Sequence, residues 1–140
     1  MHALKASLLS VALAFAAAGF TAAQAHDSPS GEETVKPVAR YALPDAPGKQ
    51  VTLLTVNYAP GQASTPHMHA NSVYAYVLAG TIESQLGNGT LKTYKTGETW
   101  YEPPGSHHLV SRNASRTEAA TLLVFAVSDD TTPIKSPLPQ

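Results

Sequence analysis

Along most of the chain, apolar and polar residues alternate with a period of two. Val51 to Tyr58, Val73 to Leu78, Thr81 to Leu86, Leu91 to Lys95, Thr99 to Glu102, His107 to Ser111 and Glu118 to Val127 each follow this rule. An extended chain points successive side chains to opposite faces, so these segments are predicted strands. Gly80, the Gly87-Asn88-Gly89 run, Gly97 and Pro103-Pro104-Gly105 interrupt them where turns are needed. No stretch after Ala25 keeps a helical stripe. Short strands closely spaced by turns predict an all-β sandwich or barrel, and a closed barrel leaves no edge unpaired. If Val73, Ala75 and Val77 point inward, Tyr74, Tyr76 and Leu78 point outward. That is a large apolar face for a monomer, so a homodimer is expected.

The two ends break the pattern. Residues 1–25 read as a secretory signal: Lys5, an apolar run from Leu8 to Ala18, and the small-residue site Ala23-Gln24-Ala25. The run is shorter than the ~20 residues a spanning helix needs. Export to a bacterial periplasm is expected, with no membrane role after cleavage. Residues 26–34 are expected to be a flexible segment and 35–128 the barrel. Residues 129–140 carry Pro133, Pro137 and Pro139 without a period, and are expected as an extended arm or disordered.

Composition narrows the function. A length of 140 residues fits one domain. Lys plus Arg total 9 against 10 Asp plus Glu, a net charge of -1 that offers nucleic acid no basic footprint. The chain is 43% hydrophobic, too high for a disordered protein. It has no cysteine, which excludes disulfides, thiolate metal sites and a cysteine nucleophile. A nucleophile-elbow Gly-x-Ser-x-Gly, a P-loop and a dinucleotide fingerprint are all missing.

Histidine carries the remaining chemistry. His26 opens a polar segment and reads as part of a mobile terminus. His67 and His69 are two apart, so on a strand they share a face, about 6–7 Å apart along it. His107-His108 follows the Pro-Pro-Gly turn, and as neighbours only one of them faces inward.

These residues resemble the two motifs of the cupin superfamily. Gly61, five residues, His67-Met68-His69 and a closing Gly80 match the first; Gly97, five residues, Pro103-Pro104-Gly105 and His108 match the second. The resemblance spans Gly61 to Asn113. It implies a double-stranded β-helix barrel, jelly-roll-like, with a metal in its mouth on His67, His69 and His108. Two positions depart from the pattern. Val73 stands where the first motif has Glu (Tyr74 under the alternative spacing), and Arg112 stands where the second has Asn, with Asn113 next.

Glu102 sits where an apolar residue normally faces inward before the Pro-Gly turn, with Trp100 on the same face. It is expected as a fourth ligand or as an acid beside the metal, unless the strand twists it to solvent; a bare buried carboxylate would be costly. The expected pocket is lined by Val73, Ala75, Val77, Ile82, Leu86 and Trp100, and suits a small apolar or aromatic molecule. Imidazoles with one oxygen suit divalent Fe, Mn, Ni, Cu or Zn. The expected functions are a metal-dependent dioxygenase or isomerase, a small-ligand binding module, or a structural dimer with a decayed site.

Overall fold

The computed structural model describes residues 32–140. The expected signal segment and His26 lie outside the described residues. The strands are β1 (Thr34–Ala42), β2 (Gln50–Tyr58), β3 (His67–His69), β4 (Ser72–Ala79), β5 (Thr81–Leu86), β6 (Lys92–Lys95), β7 (Thr99–Glu102), β8 (Ser106–Asn113), β9 (Ala120–Ser128) and β10 (Ser136–Pro137). Among the described residues there is no helix.

The strands form two antiparallel sheets, ordered β1-β2-β9-β4-β7 and β10-β3-β8-β5-β6. The all-β expectation therefore holds, and the two sheets enclose a common core. Val56, Val73, Ala75, Val77, Leu122 and Ala126 enter it from the first sheet and Ile82 from the second. On β4 the alternation is direct: Val73, Ala75 and Val77 are buried while Tyr74, Tyr76 and Leu78 are exposed. Tyr74 stacks on Tyr101 with ring centroids 4.7 Å apart on that outer face.

Two turn glycines position the site. Gly80 has φ +77°, and a Cβ there would sit 2.7 Å from the Ala119 carbonyl oxygen and 2.8 Å from Ala120 Cβ. Only glycine combines that conformation with so close a neighbour. Gly105 has φ +81° and donates its N–H to the His69 carbonyl at 2.8 Å. The turn before His108 is thereby tied to the end of the H-x-H strand.

The described residues on both flanks join the barrel. β1 begins at Thr34, and Glu33 beside it bonds Lys135. The tail from Asp129 turns back and β10 pairs with β3, Ser136 opposite Met68 and Pro137 opposite His67. A prolyl residue fits this short edge strand because an edge leaves one side without ladder bonds.

Candidate metal centre

Strand register explains why the histidines meet. β3 and β8 are antiparallel with His67 directly opposite His108 and Met68 opposite His107. His67, His69 and His108 are buried, whereas His107 faces solvent. Ligating atoms of the three buried rings lie within 4.8 Å of one another. The ring centroids of His67 stand 4.8 Å from those of His69 and 5.1 Å from those of His108.

Glu102 reaches the same point from the other sheet. Its side chain is 2% exposed, and Trp100 Nε1–H donates to its Oε1 at 2.8 Å. Its Oε2 lies 3.5 Å from His69 Nε2 and 3.3 Å from His108 Nδ1. Those distances allow charge interaction, yet among the described residues Oε2 has no hydrogen-bond partner. The strand does not turn Glu102 to solvent.

The donor atoms fit a cation. His67 Nδ1–H donates to the Thr65 carbonyl at 2.8 Å, and His69 Nδ1–H to the Ile134 carbonyl at 2.5 Å. Since a carbonyl only accepts, both rings carry their lone pair on Nε2. Those two Nε2 atoms are 3.1 Å apart. Two lone pairs at that distance repel unless a proton or a cation lies between them. Ligands ~2.0–2.2 Å from one ion, at tetrahedral or octahedral angles, stand about 2.8–3.6 Å apart. The separations of 3.1, 3.3 and 3.5 Å fall in that range, while the ligand atoms of the three histidines as a set spread over as much as 4.8 Å. Backbone carbonyls on the far ring nitrogens are the usual means of fixing ligand tautomers.

Protonation is set in the same sense. Burial lowers His67, opposed by its bond to Thr65. Burial takes His69 down to about 4, with the Ile134 bond opposing and the charge of His67 reinforcing it. Burial, then the charges of His67 and His69, take His108 down to about 3. The rings are therefore held neutral, the form that binds metal. Burial raises Glu102 to about 7, against the hydrogen bond from Trp100.

The rings and Glu102 form one end of a cavity of about 170 Å³. Leu54, Val56, Val73, Ala75, Leu122 and Val124 supply apolar wall, and Trp100 and Ile134 also line it. Val77 and Ile82 do not line it, contrary to expectation, and Leu86 lines a separate surface hollow. Val77 and Ile82 are wholly buried in the core. Alternation fixes which face of a strand points inward but not how deep each inward residue lies. Sequence reasoning also passed over Glu33, Tyr58, Ser64, Ser111, Ile134 and Lys135, all of which line the cavity. Tyr58 hydroxyl contacts Ser64 Oγ at 2.7 Å and Ser111 Oγ at 2.8 Å. Tyr58 and Ser111 carry a signal, a polar group at an inward position of a predicted strand; the others lie outside the predicted strands.

A double-sheet antiparallel β barrel, holding an H-x-H pair and a later histidine around one point, defines a double-stranded β-helix protein with a site able to hold a metal. The chain belongs to the cupin domain family, whose match covers residues 54–125. No curated protein matches it. Among solved structures it is similar to a conserved protein with a double-stranded β-helix domain from Klebsiella pneumoniae, at TM-score 0.60 and 20% identity, covering 79% of this chain and 88% of that one. It is also similar to a Cupin 2 conserved barrel domain protein from Salinispora arenicola, at TM-score 0.54 and 21% identity, covering 67% and 74%. A DMSP lyase from Ruegeria pomeroyi aligns at TM-score 0.55 and 20% identity over 62% of this chain, which spans only 42% of that lyase. These likenesses concern the fold.

Proposed function

We propose that the protein is a metal-dependent enzyme, of dioxygenase or isomerase type, acting on a small apolar or aromatic molecule that carries a polar head. The observation that carries this reading is a single cavity whose mostly apolar wall also holds three neutral imidazoles and a carboxylate oxygen unpartnered among the described residues. His67, His69 and His108 hold a divalent transition metal, with Glu102 Oε2 as the fourth donor. Such an ion, bound there, supplies Lewis acidity or redox chemistry.

The chain's own residues do the remainder. Thr65 and Ile134 fix two imidazole tautomers, and Trp100 fixes one carboxylate oxygen so that the other points at the rings. The cavity volume of 170 Å³ suits one ring, since an apolar cavity of about 150 Å³ binds benzene. The apolar wall excludes water from the bound molecule and orients its polar head toward the rings.

Elemental analysis of the purified protein, followed by oxygen uptake and product analysis on a panel of phenols and small diketones, tests the reading. DMSP belongs in the panel because a fold neighbour is a DMSP lyase. The expected result is about one equivalent of metal, lost in the His67→Ala/His69→Ala double variant, and turnover that depends on it. Metal below a tenth of an equivalent, or a fully loaded protein that binds panel members without converting any, overturns it in favour of a binding module or a decayed site.

A further inference from the structure

A second polar group faces the cavity and takes no part in the metal centre. Glu33 lies just before β1, and its side chain is 4% exposed. Lys135 Nζ–H donates to Glu33 Oε1 at 2.7 Å. Among the described residues no group lies in hydrogen-bond geometry to the buried Glu33 Oε2, and Glu33 lines the cavity. Lys135 also lies 4.0 Å from Glu32, so one cation meets two carboxylates at this rim. A buried carboxylate oxygen left unpaired is costly, and it is relieved by any donor brought to it.

We propose that Glu33 Oε2 is a ligand-binding acceptor in this cavity, which selects small molecules bearing a hydroxyl group. Burial opposes ionisation of Glu33, but the hydrogen bond and charge of Lys135, its own backbone N–H and the nearby Ser64 hydroxyl outweigh it, and its pKa lies below the ordinary 4.5. The acceptor is thus a carboxylate at neutral pH. Lys135 occupies one oxygen and holds the other toward the cavity. A one-ring body fits a cavity of about 170 Å³. The inference rests on the reading above only in that a small molecule enters this cavity; it does not require a metal.

The test compares two probes of equal size, phenol and toluene, by calorimetry on chelator-treated, metal-free protein under argon. Phenol is expected to bind at least about tenfold tighter, as one hydrogen bond to a charged group implies. Glu33→Gln is expected to reduce that ratio to about threefold or less, and Glu33→Leu combined with Lys135→Met to bring it to about one. A purely structural clamp between Glu33 and Lys135 would alter the affinity for both probes equally. Equal binding of the two probes by the unaltered protein overturns the proposal, as does a ratio unchanged in Glu33→Gln, or binding of neither probe. Should the double variant not fold, Glu33→Gln carries the test. Oxygen uptake is measured separately on loaded protein, so failure here is distinguishable from failure of the enzymatic reading.

Discussion

Val73 and Glu102 are directly opposite one another across the antiparallel pair β4–β7. Opposed residues on one face hold their Cβ atoms about 4.5–5.5 Å apart. The carboxylate that the motif resemblance would place at position 73 thus has a counterpart in Glu102 on the neighbouring strand, aimed into the same space. The pair predicts a rescue. Glu102→Val should lower metal affinity by about 10–100-fold, a range typical when groups supporting a metal site are removed. Adding Val73→Glu to that variant should recover most of the loss. Chelator competition with metal quantitation checks it, and a Glu102→Val protein with unaltered affinity would remove Glu102 from the donor set.

The tail should matter to the site despite its distance in sequence. Ile134 lies 65 residues from His69 and supplies the carbonyl that fixes its tautomer. Deleting residues 133–140 should weaken metal binding by about 10–100-fold, since loss of such a partner loosens the ring. Far-ultraviolet circular dichroism should remain that of a β protein, because β10 contributes two residues to its sheet. Unchanged affinity in the truncated protein would show that the tail does not orient His69.

Ile82 should separate stability from chemistry. It is wholly buried in the core, yet does not line the cavity. Ile82→Ala should cost about 2–5 kcal/mol, as large-to-small core changes do. Urea denaturation reads that loss, and metal content at low denaturant should stay near that of the unaltered protein.

Tyr58 should make the protein alkali-sensitive. Burial raises its hydroxyl from an ordinary 10.0 to about 12, with the hydrogen bonds to Ser111 and Ser64 opposing. Above pH 10 the unfolded chain loses this proton while the folded chain keeps it, so stability falls as pH rises from 10 to 12. The limiting slope is about 1.4 kcal/mol per pH unit. Tyr58→Phe should lack this component while being weaker at neutral pH by about 1–2 kcal/mol, because two buried hydroxyls lose a partner. Urea midpoints at pH 9, 10 and 11 for both proteins decide it; parallel lines would exclude Tyr58 as the source.

Much of this architecture was legible because alternation is a local property. The segments 81–86 and 99–102 coincide with β5 and β7, and the ends of the others differ by one or two residues. His67, His69 and His108 were legible because the motif spacing and the strand period agree on them. Glu102 stood out as a charge at an inward position. The reading missed β1, β3 and β10 as separate strands: β3 and β10 span three and two residues, too few to show a period. Glu33 and Lys135 are 102 residues apart, and neither lies in an alternating run that would mark it as facing inward. The depth of Val77 and Ile82 depends on where the cavity stops, which is decided by both sheets together.

The bond from His69 to Ile134 also orders events in time. A polypeptide emerges from its N-terminus, so the paired imidazoles are made well before residue 134. Until that carbonyl arrives, His69 can place its hydrogen on either nitrogen. The hydrogen is fixed to Nδ1, with Nε2 left open toward the neighbouring rings, once that later backbone has folded back over the strand.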